Sequence, residues 1–315
     1  MLANFALEIC RCRDGWDDDA MIDLALNAIR SHASAHGRVL CAVSGGVDSA
    51  LCAKLASIAV GNRLTCVFID TGCFHQDEPE RVIHSFMESM GIVVAYVDAK
   101  EQFLRSLEGI SSPEAKERIA SSVLTQVLLR QFSYEPDIHT LVMGTNFNDA
   151  LYGFSPTAEI DSAKGALELT VLEPIGNLFK NEVRRLARAL HLPERIASRQ
   201  PFPASGLALR VFGEVTEERL GLLRQTDALL TEEIAESGYG KKLWQYYTIL
   251  LPSPDKPERY TVSIRALQAG SFTATAARLP FDLVERITAR ILREVPIVSR
   301  VVYDFTPSRH YGELE

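Results

Sequence analysis

VLCAVSGGVDSALCAKLASIAV, residues 39–60, is the stretch on which the fold of this chain turns. An apolar, strand-like run from Val39 to Val43 passes straight into Ser44-Gly45-Gly46-Val47-Asp48-Ser49 and then into a helical segment. Gly45 and Gly46 let the backbone aim its N–H groups at an anion, and the start of the next helix adds the positive end of its dipole. Ser44 and Ser49 supply hydroxyl donors to the same oxygens. A carboxylate cannot favour an anion directly, so Asp48 implies a magnesium ion bridging it to phosphate oxygens. Strand, glycine turn and helix together predict a phosphate-binding loop.

The same alternation repeats outward from that loop. Apolar runs LTCVFID (64–70), IVVAYVDA (92–99) and TLVMGT (140–145) are separated by helical segments at 78–91 and 113–132, and a helix over 17–36 precedes the first strand. Strands apolar throughout, each followed by a helix, predict a doubly wound parallel α/β sheet covered on both faces. Ligands of such sheets sit beyond the carboxyl ends of the strands, where Ser44, Asp70, Thr71 and Gly144 fall. Residues 151–170 are polar and weakly periodic, a loop placed to act as a lid. After a helix at 179–190, the proline-rich PERIASRQPFPASG marks a boundary, dividing the chain into 1–199 and 200–315. The second part, with helices near 216–237 and 281–295 around WQYYTILL, YTVSIRAL and SRVVYDF, reads as a smaller α+β domain.

Composition narrows the class. In 315 residues there is no apolar stretch of the roughly 20 residues needed to span a bilayer, and the N-terminal residues carry acidic side chains where a signal peptide has an apolar run, so the expected location is the cytoplasm. A net charge of −8, with lysine and arginine scattered, counts against a nucleic-acid partner. The six cysteines form no C-x-x-C pair and none of the zinc spacings.

SGGVDS at 44–49 resembles the pyrophosphate loop of the N-type PP-loop ATP pyrophosphatases, which cleave ATP between its α and β phosphates. With DTG (70–72), Gly144, Thr145 and Asp149, LEPIGNLFKNEVR (172–184), RQPFPASGLALRVFGEV (199–215), VSIRAL (262–267) and SRVVYD (299–304), the chain is similar to the synthetase part of GMP synthase from about residue 20 onward. The resemblance implies a PP-loop (adenine nucleotide alpha hydrolase-like) fold, ATP and magnesium as cofactors, and a purine acceptor. It assigns residues 44–49, with Asp70, Gly144 and Thr145, to the nucleotide, Lys180 to the same phosphates and Asp48 to the metal. It makes Asp149, Arg210, Arg265 and Arg300 candidates for substrate or dimer contacts, and implies a homodimer formed by the second domain.

The chain also departs from that pattern. FSPTAEIDSAKGALEL replaces a lid with an IKSHHN-like stretch, leaving Lys164 as the stand-in. TPSRHYGELE replaces a KPPATIEWE-like tail, with Arg309 and Glu313 as the nearest substitutes, and PFPASG replaces PFPGPG. Cys73 follows Thr71-Gly72 where the family has an aliphatic residue, and strand-end geometry predicts its sulfur near the ATP crevice as a nucleophile or persulfide carrier, with His75 two residues on to stabilise a thiolate or act as a base. Cys10 and Cys12 form a second, more incidental pair. The expected chemistry is adenylation of a purine carbonyl oxygen, with Asp48 and Lys180 serving the phosphates. The displacing nucleophile is read first as sulfur, giving a thiopurine with a cysteine desulfurase as donor. Amination of xanthosine monophosphate with a separate glutaminase subunit is the alternative, and a nucleotide-binding module without turnover is the third reading.

Overall fold

The computed structural model describes residues 5–11, 15–33, 37–135, 137–147, 149, 160, 169–203, 205–256, 258–269 and 274–306. Five strands, β1 (Arg38–Ala42), β2 (Leu64–Asp70), β3 (Val94–Asp98), β4 (Ile138–Val142) and β5 (Thr170–Leu172), form one sheet in the order β3-β2-β1-β4-β5. Every pairing in it is parallel. The chain steps outward from β1 to β3, then returns to the other side of β1, so the direction of winding reverses between β1 and β4. That switch point is where a doubly wound sheet opens a crevice.

Alternation along the inner strands assigns side chains to the two faces. Leu40, Val67, Ile69 and Leu141 enter one core, while Val39, Cys41, Cys66, Phe68 and Val142 enter the other. The second core is closed by α1 (Asp18–His32) and α2 (Val47–Val60). Asp17 caps α1, its carboxylate accepting from the N–H groups of Asp19 and Ala20. β3 departs from the all-apolar expectation: as the edge strand it exposes Ala95, Tyr96 and Asp98.

The second sheet joins β6 (Gln245–Pro252) and β7 (Tyr260–Ala269) antiparallel. The first half of β7 then pairs in parallel with β9 (Val298–Tyr303), and its last residues pair antiparallel with β8 (Ala274–Ala276). The long helices Glu217–Glu236 and Phe281–Glu294 pack on it. Sequence pattern did not identify β5 or β8, three residues each and too short to carry a period. The first core runs on without a break from Leu40 and Val67 through Leu207 and Val211 to Leu223, Leu250 and Ile264, so the two sheets share buried apolar surface. No helix among the described residues is long and apolar enough to cross a membrane.

Candidate nucleotide site

The loop at the end of β1 is built as its sequence suggests. Gly45 adopts φ +80°, a left-handed conformation open to glycine, and a Cβ there would collide with Val82 and lie 2.5 Å from Arg199 Nη1. Ser44 and Ser49 hold the loop from inside: Ser44 N–H donates to Ser49 Oγ at 3.1 Å, and Ser49 Oγ donates to the Gly46 carbonyl at 3.1 Å. Helix α2 starts on Gly46 with no side-chain cap, which leaves the first-turn N–H groups of Val47, Asp48 and Ser49 without a side-chain acceptor. Such a start suits an anion.

β4 brings the second wall. A Cβ on Gly144 would sit 2.8 Å from Ser49 N and 3.0 Å from Ser49 Cα, so only glycine lets the end of β4 close against the first turn of α2. Thr145 and Asn146 follow, both buried. Asn146 Nδ2 donates to Asp48 Oδ1 at 3.3 Å, while the Asn146 N–H donates to Asp149 Oδ2 at 3.0 Å. Asn146 was not singled out from the sequence, although its place between Thr145 and Asp149 was a usable signal.

Lys180 arrives from the far side of the site at the start of helix Lys180–Ala189. Phe179 fixes that start: its ring lies 4.8 Å from that of Phe147, and its N–H donates to Glu182 Oε2 at 2.7 Å. The Lys180 ammonium then pairs with Asp48 Oδ2. Asp149 lies in the same electrostatic neighbourhood; burial raises its carboxyl pKa, and the Asp48 charge adds to that rise. No cluster of three or more metal-ligating side chains is present among the described residues. Asp48 with Asp149 is a donor set that fits magnesium held mainly by phosphate oxygens, since that ion uses one or two carboxylates at such sites.

Other sequence-predicted residues are placed differently. Asp70 ends β2 as expected, but its carboxylate is committed within the fold: Oδ1 accepts from Gly72 N–H at 2.8 Å, and Oδ2 accepts from Tyr96 Oη at 2.8 Å and pairs with Lys100 Nζ at 3.2 Å. Cys73 is not in the crevice. It is fully buried in the first core, and burial pushes its thiol up to about 12, which removes the thiolate that a nucleophile needs. The left-handed turn at Gly72 carries the chain inward, and the Cys73 carbonyl accepts from Leu207 N–H at 2.7 Å beneath the 206–210 turn.

His75 likewise faces away from Cys73. It donates from Nδ1 to Glu78 Oε2 at 2.7 Å and from Nε2 to Asp227 Oδ2 at 2.9 Å. With acceptor-only carboxylates at both nitrogens, the ring satisfies both bonds as a donor when it is protonated. Burial opposes that charge, but the bonds to Asp227 and Glu78 outweigh it and raise the pKa.

Arg210 and Arg265 are core residues. Arg210 is 3% exposed, stacked 4.4 Å from the Tyr247 ring centre and 5.2 Å from that of Phe202, with Asp227 at 3.7 Å. Arg265 donates to Asp304 Oδ2 at 2.7 Å and to the Thr306 carbonyl at 2.9 Å, so it fastens the end of β9. Arg300 is exposed on β9. Lys164, Arg309, Glu313 and Cys12 lie outside the described residues, as does the lid segment apart from Ile160, Leu169 and Thr170.

Residues 22–242 match the family model for NAD synthase, and residues 232–310 match that for the GMP synthase C terminal domain. The chain is 39% identical over 324 residues to the glutamine-hydrolysing GMP synthase of Geobacillus kaustophilus, covering 97% of this chain and 63% of that protein. It is 39% identical over 330 residues to the glutamine-hydrolysing GMP synthase of Symbiobacterium thermophilum, covering 100% of this chain and 64% of the relative. The chain thus spans less than two thirds of the length of these relatives. A solved structure, an NH3-dependent NAD synthetase from Campylobacter jejuni, superposes with a TM-score of 0.47 at 18% identity, over 59% of this chain and 78% of that one. The match over 22–242 places this chain in the NAD synthase family, in keeping with the glycine-turned loop after β1 and the Lys180–Asp48 pair beside it, and residues 232–310 continue it with a match to the GMP synthase C terminal domain.

Proposed function

We propose that the chain binds ATP at the 44–49 loop and adenylates the carbonyl oxygen of a purine nucleotide, which ammonia then aminates, as in a GMP-forming ligase. The observation that carries this reading is the uncapped start of α2 facing the Lys180–Asp48 pair. Ser44 hydroxyl, the first-turn N–H groups and Lys180 would hold the β and γ phosphates. The substrate carbonyl oxygen attacks the α-phosphorus, the bond from that phosphorus to the bridging oxygen breaks, and pyrophosphate leaves carrying the negative charge. Lys180 stabilises the charge that develops on it. The nitrogen of ammonia then attacks the adenylated carbon, loses a proton, and AMP departs with its oxygen. Magnesium, held by Asp48 and Asp149 with phosphate oxygens, would supply charge neutralisation.

Amination replaces sulfur transfer as the favoured outcome. The thiol expected to act is buried with its pKa near 12, and the relatives are named as GMP synthases. Xanthosine monophosphate is the acceptor this reading assigns, and a glutaminase domain or subunit is the ammonia source. The division at about residue 200 and a homodimer belong to the same reading; Phe281 and Phe305, 76% and 63% exposed, are apolar surface for a second copy. The test is incubation with ATP, magnesium, ammonium and xanthosine monophosphate. GMP, AMP and pyrophosphate in equal amounts are expected. AMP formation with sulfide and a purine, but none with ammonium, would restore sulfur transfer; no AMP under any condition would leave a binding module.

A further inference from the structure

A line of charged groups runs from the phosphate loop into the second sheet's helix layer. Arg199 Nη1 lies against Gly45, close enough that a Cβ on that glycine would be 2.5 Å from it. Arg199 Nη2 pairs with Glu78 Oε1; Glu78 Oε2 accepts from His75 Nδ1, and His75 Nε2 donates to Asp227, which faces Arg210. Asp227 is further held by Thr248 N–H at 2.7 Å. When His75 is protonated, three positive groups alternate with two carboxylates. The line begins and ends in arginine and carries one net positive charge.

Its two ends differ in access. Arg210 is sealed between Phe202 and Tyr247, whereas the Arg199 side chain is 24% exposed. The Arg199 backbone is anchored as well, its carbonyl accepting from Arg184 Nη2 at 3.3 Å and its N–H donating to the Ile196 carbonyl at 3.2 Å. The one end of the line that solvent reaches is therefore fixed beside a loop built for an anion. A surplus cation held at low dielectric is stabilised by such an anion.

We propose that Arg199 is a second pyrophosphate-binding cation at this site, opposite Lys180, and that Glu78, held by His75 and Asp227, is the residue that positions it. This rests on the ATP reading given above. Arg199 contacts the β and γ phosphates through Nη1 while Nη2 stays on Glu78, so it recognises pyrophosphate and ATP but not AMP.

Calorimetric titration of the full chain with pyrophosphate, ATP and AMP, each with magnesium, tests this. R199M is expected to weaken pyrophosphate and ATP binding by about tenfold or more, the scale of one charge-assisted hydrogen bond, and to leave AMP binding within about twofold. R199K is expected to recover part of the loss. E78Q is expected to weaken pyrophosphate binding less than R199M. Equal pyrophosphate affinity in R199M and the unaltered chain overturns the proposal, as does a parallel loss of AMP binding, which marks a structural role. Should R199M not fold, R199K and R199Q carry the same comparison of pyrophosphate with AMP. If the unaltered chain binds neither ATP nor pyrophosphate, the ATP reading itself falls and this proposal with it.

Discussion

His75 donates from Nε2 to Asp227 Oδ2 at 2.9 Å, joining residues 152 positions apart in the chain. One lies just beyond β2, the other in the middle of helix Glu217–Glu236. The bond ties the phosphate-loop side of the molecule to the layer over the second sheet; Asp227 is buried at 4% exposure, while the His75 side chain is 31% exposed. Buried charges of this kind are costly to break singly, because the survivor keeps its desolvation penalty.

Replacing His75 by Gln, which fills similar space without the charge, is therefore expected to destabilise the fold by about 3 kcal/mol. Urea unfolding of H75Q and the unaltered chain would show a lower midpoint with little change in slope.

The same histidine sets a pH dependence. Its pKa is raised in the folded chain from 6.5, so its stabilising contribution is complete below about 6.5 and is lost as pH rises through the folded value. Glu78 behaves oppositely. Burial alone would raise its pKa, but His75 and Arg199 bring it from 4.5 down to about 2, so its contribution is complete above 4.5 and lost as pH falls toward 2. The stability gap between the unaltered chain and H75Q should narrow on the alkaline side. Unfolding midpoints taken between pH 5.5 and 9 check this, and a gap constant across that range would contradict it.

Lys180→Met removes the cation facing Asp48 across the loop. Turnover measured as AMP release is expected to fall by roughly 10² to 10³-fold, the scale of losing one preorganised charge at a transition state. The thermal midpoint should change little, since the side chain is 32% exposed.

Gly206 has φ +60°, and a Cβ there would run into the carbonyl oxygen of Cys73 and lie 2.9 Å from its carbonyl carbon. Both the conformation and the clash oppose a side chain. Gly206→Ala is expected to cost about 2 kcal/mol or more, read from denaturant unfolding.

Cys73→Ala should retain nearly full turnover and lose about 1 to 2 kcal/mol of stability from the small cavity left behind. Alkylation of the native chain at pH 8, followed by peptide mass analysis, should label exposed Cys10 and spare Cys73. Loss of turnover in C73A without loss of fold would bring the sulfur nucleophile back.

Much of the architecture was legible because it is written locally. β2 was predicted at 64–70 and observed there, and the helices at 113–134, 217–236 and 281–294 lie within two residues of their predicted ends. The SGGVDS loop was equally plain, since its glycines, hydroxyls and following helix are neighbours in sequence. Gly144 could be placed at a strand end, but its contact with Ser49 depends on β4 returning beside β1, which strand periodicity does not encode.

The chain's own sequence determined a doubly wound sheet, the residues that end its strands, and the glycine-turned loop that follows β1, because backbone propensity and apolar periodicity act over a few residues. Tertiary packing alone decided that Cys73 is buried in the first core, that Arg210 and Arg265 lie buried with internal partners, and that Arg199, Glu78, His75 and Asp227 form one line. Burial and ion pairing depend on which distant segments share a space, and those partners stand 121 and 152 positions apart.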